Sequence, residues 1–208
     1  MGSTVVSSSS PNAYELLVQV LREGGVAAVP TDTVYGLVAD AFNTSATARI
    51  FEIKGRPSDL ALPIFVSGLE QAGTLLTRVD SLMVALAERF WPGALTIVAE
   101  CRDDLEFAVG GDGNSIGVRA PADHLLLAVC EEVGPLASTS ANRHASSPLR
   151  DVGALVTELG NDVSLIIDGG PREGLASTVI SIVERPPAIL REGAISNQEL
   201  YSVVATVT

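Results

Sequence analysis

The chain has 208 residues, 47% of them hydrophobic and 18% charged, and a formal charge of −12. The length fits one globular domain, and the charge excludes a broad basic stripe of the kind that holds nucleic acid non-specifically or lies on anionic lipid. A polyanionic ligand needs a local basic pocket instead, and of the 13 basic residues Lys54 is the single lysine, all the others being arginine.

The first residues, MGSTVVSSSSPN, lack the basic and apolar regions of a secretory signal. Residues 1–11 read as a flexible tail and 12–208 as a single domain. Apolar Tyr14, Leu16, Leu17, Val20 and Leu21, with Asn12 as N-cap and Gly24-Gly25 as a stop, predict an amphipathic helix. Residues 26–30 follow as a short buried strand and 31–35 as a polar loop, after which Asn43 or Thr44 caps a helix running towards Ile53. Further strands are expected over 63–66, 95–99, 115–118, 136–138, 165–168, 177–182 and 188–190, and helices over 68–76, 81–90, 124–132, 151–159 and 197–203. Strands and helices mixed throughout predict an α/β sheet covered by helices. Three closely spaced late strands make it partly antiparallel. No apolar run approaches the roughly 18–20 residues that span a bilayer, and Cys101, Cys130, His124 and His144 show neither metal-ligand spacing nor a disulfide framework. A reducing, cytoplasmic setting fits that usage.

Standard nucleotide motifs are absent. Lys54 lies between Ile53 and Gly55, outside any phosphate-loop pattern, and the glycine-rich stretch 111–117 misses the dinucleotide fingerprint by one position and opens no helix. The same stretch contains G-x-S-x-G around Ser115, but a nucleophile elbow needs a strand before the serine and a helix after it. Here the order is reversed. Glu52-Ile-Lys-Gly-Arg-Pro57 says more: Pro57 biases Arg56 towards extended backbone, where residues two apart point to one side. Lys54 and Arg56 could then aim two cations into one place, although an isolated K-x-R reads more readily as a solvated helix end. Ser140 and Asn142, in LASTSANRHASSP, repeat that spacing after an apolar strand and offer groups that can bind an anion. With Thr31 to Gly36, Arg119, Ser177 and Arg191, they bring hydroxyls and cations to strand ends, where α/β sheets bind ligands. The set describes a small-molecule anion site.

In order, PTDTVYGL, KGRP, FWPGALT, GVRAP, STSAN, ASTV and ILREGAI resemble the signature blocks of the threonylcarbamoyl-AMP synthase family, the YrdC-type domain, in its short form. The resemblance runs from about Val26 to Ile195. It implies a twisted, open, mixed α/β sheet with helices on its faces around a large concave cavity. It implies a nucleotidyltransferase that converts ATP, L-threonine and bicarbonate into threonylcarbamoyl-AMP and pyrophosphate for tRNA threonylcarbamoyladenosine formation. Magnesium would ride on the triphosphate without protein ligands, and a downstream tRNA threonylcarbamoyl-transfer machinery would take the product. Neither a membrane nor strong direct nucleic-acid binding is expected. By the same resemblance Lys54 and Arg56 are catalytic and contact ATP phosphates; Ser115, Asn142 and Arg191 contact the nucleotide; and Thr33, Arg119, Ser140 and Ser177 hold threonine, with Arg119 suited to its carboxylate. The chain departs from the pattern after K-x-R-P, with Leu60, Ala61 and Phe65 where the family commonly has a polar residue, then Pro-Leu, and later a histidine that helps bind threonine. A phenyl ring in place of imidazole removes a hydrogen-bonding group, which bears on the choice of amino acid. Two other readings remain open: a paralogue of the same fold that adenylates a different carbamate or carbamoyl donor, and a non-catalytic RNA-binding module.

Overall fold

Residues 2–105, 108–111 and 113–207 are described by the computed structural model. Asp112, inside the stretch tested above as a dinucleotide fingerprint, lies outside them. In chain order the elements are β1 (Thr4–Ser7), α1 (Ala13–Arg22), β2 (Ala27–Val29), β3 (Gly36–Asp40), α2 (Thr44–Lys54), β4 (Ile64–Phe65), α3 (Leu69–Gly73), α4 (Ser81–Phe90), β5 (Leu95–Glu100), β6 (Ser115–Arg119), α5 (His124–Val133), β7 (Leu136–Ser140), α6 (Val152–Leu159), β8 (Leu165–Asp168), β9 (Thr178–Ser181), β10 (Ala188–Arg191) and α7 (Asn197–Val207).

Helix starts follow the capping chemistry of the sequence. Asn43 accepts from the Ala46 N–H, Asp80 from Met83, Asp123 from Leu126 and Asp151 from Ala154, each satisfying an amide the helix itself cannot. Asn12 occupies the N-cap of α1 without such a bond. That helix is held by its buried stripe of Ala13, Leu17, Val18 and Leu21. Full burial of one leucine is worth about 1.5–3 kcal/mol.

The strands form one ten-stranded mixed sheet among the described residues, in the order β1-β8-β2-β3-β7-β4-β6-β5-β9-β10. Neighbours β1/β8, β2/β8, β4/β6 and β5/β9 are parallel and the rest antiparallel. Side chains alternate across the strands, so Ala27, Val29, Leu165 and Ile167 pack with α1 and α5 on one face. Ala28, Leu37, Ile64 and Ile166 pack with residues of α2, α4, α6 and α7 on the other. Burial on both faces explains why these strands read as short apolar runs rather than alternating ones.

Three expectations need correction. Residues 4–7, expected within a flexible tail, form β1 alongside β8, with Thr4 opposite Leu165 and Ser7 opposite Asp168; the β-branched run Thr4-Val5-Val6 favours that conformation. β3, not expected at all, hairpins with β2 and pairs with β7 along its whole length. Lys54 is not extended: it is the last residue of α2, which ends at Gly55 in the left-handed region at φ 60°, where glycine carries no steric penalty. No helix among the described residues is long and apolar enough to cross a membrane.

Candidate functional site

The ends of β3, β7, β6 and β10 and the segments beside them converge on a cavity of about 450 Å³, within the range of roughly 300–1,000 Å³ typical of small-molecule sites. Eight of the nine expected site residues line it: Thr33, Arg56, Ser115, Arg119, Ser140, Asn142, Ser177 and Arg191. Three arginines and no aspartate or glutamate do so among the described residues. A chain of net charge −12 thus presents a cationic interior.

Each side chain has an assignable cause for its place. Thr31 folds the loop after β2 into a hydroxyl-centred turn, its Oγ1 accepting from the Thr33 and Val34 amides at 3.1 and 3.2 Å and donating to the Val34 carbonyl at 2.6 Å. Its hydroxyl also meets that of Thr33 at 3.0 Å. Arg119 closes β6 directly opposite Phe65 of β4. Its Nε donates to the Gly93 carbonyl at 2.8 Å, Nη1 to Thr33 Oγ1 at 3.2 Å and Nη2 to Asp32 Oδ1 at 2.6 Å. Two of its five N–H donors stay available for a ligand. Burial lowers its pKa, Asp32 opposes that shift, and the nearby Arg191 adds to it.

Arg191 donates to the Ser177 carbonyl from Nε and Nη2 at 3.1 and 2.9 Å, and to Ser177 Oγ at 3.1 Å. Ser177 Oγ lies 2.9 Å from Thr96 Oγ1. Arg56 folds back on the loop that follows it, Nε to the Leu60 carbonyl at 3.0 Å and Nη2 to that of Ala61 at 2.9 Å. Burial lowers the pKa of both arginines, and guanidiniums remain charged regardless. Asp59 partly opposes the shift at Arg56, and cations held in a partly desolvated place suit an anionic ligand.

Lys54 is the exception. It is absent from the residues that line the cavity, and it is 4% exposed, so the solvated helix end does not describe it. Nζ donates to the Ser140 carbonyl at 2.7 Å, the Asn142 carbonyl at 2.9 Å and Asn142 Oδ1 at 2.9 Å. Ser140 Oγ donates to the same Oδ1 at 2.6 Å, and Asn142 Nδ2 donates to the Ser146 carbonyl. The helical turn at Lys54 directs the ammonium behind the loop and Arg56 in front of it. Burial, and secondarily Arg56, lower the Lys54 pKa to about 8.

Thr31, Thr96, Ser138, Thr139 and Ser146 also line the cavity, beyond the residues the sequence points to. Thr31 stands in the polar PTDT run after β2; Thr96 is one hydroxyl within an otherwise apolar strand, a weak signal. Ser115 opens β6 after a turn, the reverse of a nucleophile elbow.

A family model described as Sua5/YciO/YrdC, telomere recombination, matches residues 19–193. The chain is 36% identical over 189 residues to the threonylcarbamoyl-AMP synthase of Pyrococcus abyssi, covering 90% of this chain and 56% of that protein. It is 37% identical over 191 residues to that of Bacillus subtilis, covering 90% and 55%, and 34% identical over 153 residues to that of Coxiella burnetii, covering 73% and 82%. The chain therefore spans about half the length of the first two relatives. Among solved structures, P. abyssi Sua5 complexed with L-threonine superposes with a TM-score of 0.91 at 33% identity, over 100% of this chain and 62% of that one. Escherichia coli YciO gives 0.86 at 25%, over 95% and 99%. An open mixed sheet covered on both faces, with three arginines lining one cavity, defines an α/β domain with a cationic pocket. The chain belongs to the Sua5/YciO/YrdC family.

Proposed function

We propose that this domain is a threonylcarbamoyl-AMP synthase, taking ATP, L-threonine and bicarbonate to threonylcarbamoyl-AMP and pyrophosphate. The observation that carries the reading is one cavity lined by Arg56, Arg119 and Arg191 together with the hydroxyls of Thr33, Ser140 and Ser177. Arg119 keeps two N–H groups for a carboxylate, and the other two guanidiniums supply charge for phosphates. The P. abyssi relative that superposes on the whole chain is described with L-threonine bound, which supports the same assignment.

In this reading the threonine amine takes up carbon dioxide or bicarbonate. An oxygen of the resulting carbamate attacks the α-phosphorus, forming the new O–P bond while the bond to the pyrophosphate oxygen breaks. Charge gathers on the phosphoryl oxygens and the leaving group, so the protein acts by positioning and by fixed positive charge. Arg119, Thr33, Ser140 and Ser177 hold threonine. Arg56, Arg191, Ser115 and Asn142 hold the nucleotide, and a magnesium ion riding on the triphosphate belongs to this reading. The product would pass to a tRNA threonylcarbamoyl-transfer machinery, with a cytoplasmic location.

The test is synthesis from purified components. Pyrophosphate release and a mass matching threonylcarbamoyl-AMP are expected with all three substrates, and neither when threonine or bicarbonate is omitted. Pyrophosphate release that ignores threonine, or a product built on another amino acid, overturns the assignment.

A further inference from the structure

Arg172 stands in the segment between β8 and β9, and the role inferred for it rests on the synthase assignment. It is absent from the residues that line the cavity and from the ion pairs among the described residues, in a chain with 25 acidic side chains. Its guanidinium is spent on the backbone of two loops instead. Nε donates to the Thr31 carbonyl at 2.9 Å, and Nη1 to the carbonyls of Gly169 and Pro171 at 2.6 and 3.1 Å. The guanidinium carbon lies 5.9 Å from the centre of the Tyr35 ring, and the Tyr35 hydroxyl holds the same segment, donating to the Gly170 carbonyl at 2.9 Å and accepting from the Gly169 amide at 3.0 Å. Gly169 keeps the space open: a Cβ there would fall 2.7 Å from Arg172 Nη2 and 2.7 Å from Pro30 Cγ.

The Thr31 carbonyl belongs to a turn that the sheet does not hold, because β2 ends at Val29 and β3 begins at Gly36. Within the turn, Thr31 Oγ1 accepts from the Thr33 amide and meets the Thr33 hydroxyl, and Thr33 Oγ1 accepts from Arg119 Nη1 at 3.2 Å. A continuous set of contacts thus runs from Arg172 through Thr31 and Thr33 to Arg119. We propose that Arg172 is a positioning residue for the amino-acid substrate: it fastens the Thr31–Thr33 turn to the segment after β8, so that Thr33 and the guanidinium it meets already stand in place for L-threonine. A turn ordered before binding need not be ordered at the expense of the ligand's affinity, and a charged donor makes the stronger tie to a carbonyl. Arg56, Ser115 and Asn142, assigned to the nucleotide, lie on other segments of the chain, so the effect falls on threonine.

Equilibrium titration with L-threonine and with a non-hydrolysable ATP analogue tests this in the wild-type protein, Arg172→Met, Thr33→Ala and the double variant. Arg172→Met is expected to weaken threonine about tenfold, the scale of one charge-assisted hydrogen bond, and to leave the ATP analogue within about twofold of the wild type. Because Arg172 acts through the turn, the loss in the double variant falls at least about threefold short of the product of the two single losses. A loss nearer the product means that Arg172 and Thr33 act independently, and overturns the proposal. Equal weakening of both ligands in Arg172→Met, as a merely structural residue would give, overturns it too. Should Arg172→Met not fold, Arg172→Gln, which keeps one amide donor, takes its place in the cycle. Wild-type protein that binds neither ligand overturns the reading of the cavity itself, whereas wild-type protein that binds both, with Arg172→Met indistinguishable from it, overturns this inference alone.

Discussion

Lys54 and Asn142 are joined twice, through the backbone carbonyl and the side-chain oxygen of the asparagine, each 2.9 Å from Nζ. The third proton of the ammonium goes to the Ser140 carbonyl at 2.7 Å. An ammonium has three donors, and here all three hold the loop that presents Ser140 and Asn142.

Lys54→Met is accordingly expected to weaken threonine and nucleotide together, since Ser140 is assigned to one and Asn142 to the other. Loss of a charged donor bonded to three oxygens is worth about tenfold to a hundredfold in affinity. Titration with L-threonine and with a non-hydrolysable ATP analogue reads both. A direct phosphate ligand would weaken the nucleotide alone.

The same ammonium imposes a pH dependence. Below its pKa of about 8 Lys54 offers three protons; above it, a neutral amine has two donors against three oxygens and the loop loses a tie. Lys54 is thus competent when charged, and kcat/KM, which reports the free protein, is expected to fall as pH rises through about 8. Bound triphosphate favours the charged form, so the inflection in kcat lies higher. Lys54→Met lacks the inflection in kcat/KM, and a wild-type profile flat through that pH would sink the assignment.

Arg119 and Asp32 are coupled in stability. Truncating the arginine strands a carboxylate that is 17% exposed, and breaking such a pair on one side costs about 3–5 kcal/mol. The low end of that range is expected for Arg119→Ala in urea unfolding, given the partial access of water to Asp32. The double variant Asp32→Ala/Arg119→Ala should be more stable than Arg119→Ala alone. Equal stabilities would show that the two charges do not depend on each other.

Gly193 packs against the backbone of Ala176 and Ser177. A Cβ there would lie 2.1 Å from the Ala176 carbonyl oxygen and 2.6 Å from the Ser177 carbonyl carbon, both backbone atoms that cannot rotate away. Gly193→Ala must push the segment on which Arg191 is anchored. Overpacking of this kind costs about 1–3 kcal/mol, and KM values for threonine and ATP should rise together because Ser177 and Arg191 move as one. A stable variant with unchanged kinetics would mean that the segment yields without disturbing either side chain.

Most of the cavity wall was legible in the chain because its polar residues fall at or beside strand ends, and the strands themselves are short apolar runs. What escaped was non-local. β1 sits in a serine-rich run and is made a strand by β8, whose Leu165 pairs with Thr4. β3 depends on β7 for half of its pairing. The spacing of Lys54 and Arg56 suggested a shared direction only on the premise of extended backbone, and α2 continues through Lys54. Asp32 had no signal of its own, since its meaning comes from Arg119, 87 residues later.

Phe65 offers the most direct test of amino-acid choice. Its ring is 6% exposed on the cavity wall, 5.8 Å from the Arg119 guanidinium carbon, where the family resemblance leads one to expect histidine. A phenyl ring packs against that guanidinium but offers a ligand no hydrogen bond. Phe65→His adds a donor or acceptor beside the threonine end at similar size. One net hydrogen bond is worth about 0.5–1.5 kcal/mol, so the KM for threonine should fall about two- to tenfold while that for ATP stays put. An unchanged threonine KM would show that the substrate presents nothing to the imidazole here, leaving Phe65 the role of packing against Arg119.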